Sequence, residues 1–319
     1  MIVVDKVSKY YGRNAAVQGL DFTIDEGECI GFLGLNGAGK STTLRLLSCL
    51  LLPTSGRITI KGHDAESEPH EIRKLIGYLP DRPPLYDEMR VEEFLRFAGQ
   101  LRGMDGAAVQ KRLPEVLERT GLTRVRGQTI ETLSHGYKQR VGIAQAIVHN
   151  PALLILDEPI QGLDPVQIIE MRELIRSLRG EHTILLSSHI LSEVERTCDR
   201  LLMLNRGRIA AIGSEETLLE QLEGQPGRVG AVKGAIVEVE VRGAIDAVRA
   251  ALTIDGVSLL ELTEERGVVY ATLQGLLDPR EEIARRVVNA NLGLLSLSRS
   301  SSALEDAFVR MSKDEGGAS

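Results

Sequence analysis

The chain has 319 residues, 43% of them apolar and 26% charged, an ordinary balance for a globular protein with room for more than one domain. A formal charge of −7 argues against a general nucleic-acid binder and against broad attraction to anionic lipid. The scattered cysteines Cys29, Cys49 and Cys198 show no CxxC spacing, which fits a reducing compartment and argues against a disulfide framework or a zinc site.

The opening residues alternate apolar and polar, unlike a signal peptide. Ile2–Ser8 and Val17–Ile24 read as alternating strands, and Cys29–Gly34 as a short buried one. A glycine-rich turn then opens a helical stretch, Lys40–Leu52, closed by Pro53 and Gly56, with a further strand at Arg57–Ile60. From Val91 to Gly121 the period becomes helical. Phe94, Leu95, Phe97, Ala98 and Leu101 make one apolar face, and Val109, Leu113, Val116 and Leu117 another. A helix at Tyr137–His149, a strand at Ala152–Leu156, a helix at Pro165–Leu178 and a strand at Thr183–Ser187 follow, predicting an α/β domain with a largely parallel core sheet.

The domain is expected to span residues 1–222, with a helical subdomain at about 85–150. A Gly-rich linker at 223–234 leads to a C-terminal domain at 235–319. There the predicted order is strand Ile236–Val241, helix Ala244–Leu252, strands Val257–Leu262 and Val268–Leu273, helix Pro279–Asn289 and strand Leu294–Ser298. That β-α-β-β-α-β order is ferredoxin-like. A last helix, Leu304–Met311, opens on a capping box of Ser302 and Glu305. No stretch reaches the roughly 20 apolar residues a spanning helix needs, so any membrane work requires another chain.

Gly34-Leu35-Asn36-Gly37-Ala38-Gly39-Lys40-Ser41 matches GxxxxGK[ST] between a strand and a helix, the context that a phosphate-binding loop requires. Its glycines let backbone N–H groups turn inward around a phosphate, and the helix N-terminus adds partial positive charge. Lys40 is placed to reach the β- and γ-phosphates, and the Ser41 hydroxyl to ligate Mg²⁺. The buried run Ala152–Leu156 ends in Asp157-Glu158-Pro159. An acid at the end of a core strand suits Asp157 as a second Mg²⁺ ligand, and Glu158, one residue further out, as the base that orients and deprotonates the attacking water.

Leu133-Ser134-His135-Gly136-Tyr137-Lys138-Gln139-Arg140 resembles the signature of ATP-binding cassette (ABC) proteins, in its LSxGY(K/R)QR variant. Tyr11 before Gly12 resembles the aromatic that stacks on adenine, Gly162-Leu163-Asp164 the D-loop, and His189 the switch histidine. Tyr78-Leu79-Pro80 with an acid, then Pro-Leu-Tyr, resembles the type-two exporter group, which includes gliding-motility, antibiotic-resistance and copper-processing ATPases. The C-terminal Leu294–Met311 resembles that group's accessory domain. The resemblance implies a P-loop NTPase cassette, a mixed sheet with a helical subdomain, carrying a small α+β domain.

It further implies ATP and Mg²⁺ as cofactors and head-to-tail packing on a second cassette, read as another copy of this chain. ATP would meet Tyr11, Asn36, Gly37, Ala38, Gly39, Lys40, Ser41, Thr42 and Asp164, with Ser134 and Gly136 reaching the γ-phosphate held by the other subunit. Glu158, His189 and Lys40 would be catalytic, and Ser41, Asp157 and Asp81 metal ligands, Asp81 standing where the family usually has glutamine. The partner would be a polytopic permease, placing the chain in the cytoplasm on the inner face of the membrane, with no nucleic acid involved.

The competing reading is a soluble ABC ATPase acting on ribosomes or nucleic acid. Those usually carry two cassettes or a long coiled coil, and this chain has neither two signatures nor sustained heptads. Importers of sugars or ions often carry an all-β accessory domain, whereas the pattern here alternates β and α. Intact Lys40, Asp157, Glu158 and His189 argue against a cassette that binds ATP without turnover.

Overall fold

The computed structural model describes residues 1–35, 37–195, 197–214, 217, 218, 221, 235–275 and 278–299. Asn36, the expected linker at 223–234 and the expected helix at 304–311 lie outside the described residues. The chain divides into two compact units, Met1–Leu218 and Leu219–Ser319.

In the first unit, β1 (Ile2–Tyr11) and β2 (Asn14–Ile24) form a hairpin. With β4 (Ser55–Ile60) and the two-residue β5 (His63–Asp64) they make an antiparallel sheet in the order β2-β1-β4-β5. The second sheet joins β3 (Cys29–Leu33), β6 (Ile76–Leu79), β7 (Leu153–Asp157), β8 (Thr183–Ser188), β9 (Arg200–Asn205) and β10 (Arg208–Gly213) in the order β10-β9-β3-β8-β7-β6. All its pairings are parallel except the β9–β10 hairpin. Every residue of β3, β7 and β8 is buried, which is why these strands read as continuous apolar runs. Phe22 of the first sheet meets Phe32 of the second edge-on at 5.9 Å, within a shared core.

The helices are α1 (Lys40–Leu47), α2 (Pro69–Leu75), α3 (Val91–Leu101), α4 (Gly106–Arg119), α5 (His135–Ile147), α6 (Pro165–Ser177) and α7 (Leu191–Glu195). The helical stretch from Val91 is thus two helices, their apolar faces buried at Phe94, Leu95 and Ala98 and at Val109, Leu113, Val116 and Leu117. Tyr86, just before them, packs its ring on Phe94 and Phe97.

Several boundaries differ from the sequence reading. α1 stops at Leu47 rather than Leu52, because Cys49 takes φ +54 and turns the chain out of the helix, leaving Leu50 and Leu52 exposed. α5 begins at His135, since the Ser134 hydroxyl caps it by accepting from the Tyr137 N–H at 3.5 Å. β9 and β10, which were not expected, are joined by Arg206 and Gly207, both at positive φ, a hairpin turn that matches strand twist.

In the second unit, β11 (Ala235–Arg242), β12 (Val257–Glu265), β13 (Val268–Gly275) and β14 (Gly293–Arg299) pair antiparallel in the order β12-β13-β11-β14. With α8 (Ile245–Ala251) and α9 (Arg280–Asn289), this is the ferredoxin-like arrangement the sequence predicts. Val237, Val239, Val241, Val269 and Leu273 bury one face of the sheet with Val248, Leu252, Ile283 and Val287.

Candidate active site

The site lies where the core strands end. β3 runs into the phosphate-binding loop and α1, and β7 and β8 deliver Asp157, Glu158 and the residues before His189 alongside it. Ligands bind at the carboxyl ends of parallel strands because loops there diverge and helix N-termini converge. A cleft of about 390 Å³ is lined by Gly37, Gly39, Lys40, Ser41, Thr42, Asp81 and Glu158, together with Ala16, Leu35 and Gln161.

Gly39 sits at φ +104, and a Cβ there would come within 2.8 Å of Val17 Cγ1 and 2.9 Å of the Ala16 carbonyl oxygen. The loop can therefore lie against the β1–β2 hairpin only with glycine at this position. Gly207 N–H donates to the Ala38 carbonyl at 2.9 Å and Ala38 N–H to that of Leu35 at 3.0 Å, fixing the loop from both sides.

Lys40 is buried, with 5% of its surface exposed, yet it is fully engaged. Its Nζ donates to the Gly34 carbonyl at 2.5 Å and stands 3.4 Å from Glu158 Oε1. The other Glu158 oxygen lies 2.9 Å from His189 Nδ1. One carboxylate thus joins two of the expected catalytic groups, from three separate segments. Glu158 itself has φ +49, a left-handed backbone that costs a non-glycine residue energy and is concentrated at functional sites.

Asp157 is 3% exposed. Burial raises its carboxyl above the usual range, against hydrogen bonds from Ser187 and Ser41, and the negative charges of Glu158 and Asp81 add to the rise. The Ser187 hydroxyl donates to Asp157 Oδ1 at 2.6 Å and accepts the Glu158 backbone N–H at 2.9 Å. Ser41, Asp157 and Asp81 supply hard oxygen donors of the kind Mg²⁺ prefers.

Other expected residues stand apart from this cleft. Tyr11, half exposed, lies beneath Lys9 Nζ at 5.7 Å and does not line the cleft. Ser134 and Gly136 start α5, outside the lining. Asp164 caps α6, accepting from the N–H groups of Val166 and Gln167 at 3.0 and 2.9 Å. Sequence reasoning missed Ala16, Gln161 and Ser187. Ser187-Ser188 was the available signal for the last, two hydroxyls ending an otherwise apolar strand.

Residues 17–161 match the family model described as ABC transporter. The linearmycin resistance ATP-binding protein LnrL of Bacillus subtilis (strain 168) is 32% identical over 98% of both chains. The Nod factor export ATP-binding protein I of Rhizobium sp. (strain N33) is 35% identical over 97% of this chain and 96% of its own. A dimeric ATP-binding cassette solved in a post-hydrolysis state with ADP and Pi is 26% identical with a TM-score of 0.61, covering 67% of this chain and 98% of that one. With a phosphate-binding loop and Glu158 lining one cleft, His189 bonded to that carboxylate and relatives matched over nearly the whole chain, this chain belongs to the ABC transporter family as an ATP-binding, ATP-hydrolysing subunit.

Proposed function

We propose that this chain is the motor of an exporter, in which two cassettes close head to tail over ATP and hand their motion to a separate membrane permease. The observation that carries the catalytic part is the Glu158 carboxylate, shared between Lys40 and His189 at the mouth of the phosphate-binding loop. The transport part is supported by relatives that match over nearly the whole chain and are named for resistance and export. Among the described residues no helix is long and apolar enough to cross a membrane. On this reading residues 1–222 are the cassette and 235–319 an accessory domain, and the motor works at the cytoplasmic face.

The chemistry is shared among the site residues. Lys40 and the N–H groups of Gly37, Gly39 and Ser41 hold the β- and γ-phosphates, with Asn36, Ala38 and Thr42 completing the cradle, while Tyr11 stacks on the adenine. Glu158 accepts the proton of the attacking water, and His189 holds the carboxylate from its far side and meets the γ-phosphate. Ser134 and Gly136 of the partner cassette, with Asp164 beside them, close the site. Mg²⁺, held by Ser41, Asp157 and Asp81, would neutralise phosphate charge during hydrolysis.

The test is affinity purification of the full chain from gently solubilised membranes, followed by mass spectrometry. A polytopic membrane protein in stoichiometric amount is expected. Recovery only in the soluble fraction with ribosomal or nucleic-acid partners would overturn the exporter reading.

A further inference from the structure

The signature segment carries a histidine, His135. It is the first residue of α5, and a side chain there leans back over the helix start. Its Nε2 lies 3.2 Å from the backbone carbonyl oxygen of Gln161, far away in sequence. A carbonyl only accepts, so the ring donates through Nε2. The geometry around the contact is closely fitted. Gly162 is at φ +74, and a Cβ on it would come within 3.4 Å of Nε2. On the next residue of the signature, a Cβ on Gly136 would lie 2.5 Å from the Gln167 side-chain oxygen.

The acceptor is not an arbitrary carbonyl. Gln161 lines the nucleotide cleft, and its own N–H donates to the Glu158 carbonyl at 3.2 Å. The turn that His135 grips therefore begins on Glu158, whose left-handed backbone has to be held in place by its surroundings. Ser187 holds the near side of this turn through the Glu158 N–H, and His135 holds its far side.

We propose that His135 is a positioning residue for hydrolysis: it fastens the signature segment to the turn that carries Glu158, and so links the face offered to a partner cassette with the chain's own cleft. The inference rests on Glu158 acting as the base. His135 lines no part of the phosphate cradle, so its loss should act on turnover and leave nucleotide affinity alone.

The test uses the purified full chain, with steady-state hydrolysis of Mg-ATP and binding of a fluorescent ATP analogue. His135→Ala should lower kcat about three- to tenfold, the scale of one lost hydrogen bond, with KM and analogue affinity unchanged. His135→Gln, whose amide can donate to the same carbonyl, should recover most of the rate. Unchanged kcat in His135→Ala, a change confined to KM, or a His135→Gln variant as slow as His135→Ala would each overturn the proposal. Glu158→Gln measured in parallel separates the two readings: wild-type turnover there removes the base assignment itself, whatever the His135 variants do.

Discussion

Ser187 is tied to Asp157 by a 2.6 Å hydrogen bond inside the sheet, its hydroxyl donating to Asp157 Oδ1 while Ser187 Oγ accepts the Glu158 N–H. One hydroxyl thereby fixes the Asp157 carboxylate and the Glu158 backbone. Ser187→Ala leaves a buried carboxylate oxygen and a backbone N–H without this partner, a loss of about 1–3 kcal/mol for each unsatisfied group. Steady-state ATPase assays across a range of Mg²⁺ concentrations should show a lower kcat and a higher Mg²⁺ requirement. Unaltered values for both would show that Ser187 orients neither the Asp157 carboxylate nor the Glu158 backbone.

Glu158→Gln keeps the size and a hydrogen-bonding amide but cannot take a proton. Turnover should fall by about a hundredfold or more, the usual range for removal of a general base. ATP binding should persist, and size-exclusion chromatography with ATP should reveal a trapped dimer. Turnover at the wild-type rate would show that another group activates the water.

Lys40→Ala should act earlier, on affinity. The lysine is buried and aimed along the loop, so its removal deletes the one side-chain cation lining the cleft among the described residues. Binding of a fluorescent ATP analogue should weaken at least about tenfold, the equivalent of roughly 1.4 kcal/mol. Unchanged affinity would contradict the phosphate cradle.

Asp157→Asn should trade function for stability. Burial and the nearby Glu158 and Asp81 make the ionised carboxylate costly in the folded chain. At neutral pH, without nucleotide or metal, removing that charge should raise Tm by a few degrees, at about 2–4 °C per kcal/mol for a domain of this size. Mg²⁺-dependent turnover should be lost. A lower Tm would mean that the Ser41 and Ser187 hydrogen bonds outweigh burial.

His149 predicts an acid limit to stability. Burial, with the positive charge of Arg102 and the proximity of His182, pushes its pKa down to about 4, although its Nε2 lies 3.1 Å from the Ile76 carbonyl. The folded pKa is below the unfolded value, so the contribution is present above about 6.5 and is lost as pH falls toward 4. Unfolding free energy should drop across that window by at most about 1.4 kcal/mol per pH unit from this group. His149→Gln should flatten the slope in denaturant titrations at several pH values, and an identical slope would refute the assignment.

Much of the fold was legible because its signals are local. Buried parallel strands announce themselves as unbroken apolar runs, as at Leu153–Leu156, and helices as apolar residues on one face, as at Phe94, Leu95 and Ala98. Boundaries were harder where a single backbone angle decides them. Nothing in the residues around Cys49 marks it for φ +54, so the end of α1 could not be read in advance. The β9–β10 hairpin is weakly marked in the sequence, since Arg206-Gly207 between its apolar runs is a weaker turn signal than Asn-Gly.

The sequence by itself determined the parts of this protein: a glycine-rich loop before a lysine and a serine, two acids at a strand end, a signature segment and a histidine, in an order that specifies an ATP-hydrolysing cassette. These are motifs whose chemistry depends on residue type and short spacing. Only the tertiary structure decided which parts touch. The grip of Glu158 on both Lys40 and His189, the Ser187 bridge beneath the acids and the reach of His135 to Gln161 join segments distant in the chain. Those contacts depend on the order in which β3, β8 and β7 lie side by side and on the helix starts beside them, and no local pattern of residues encodes that order.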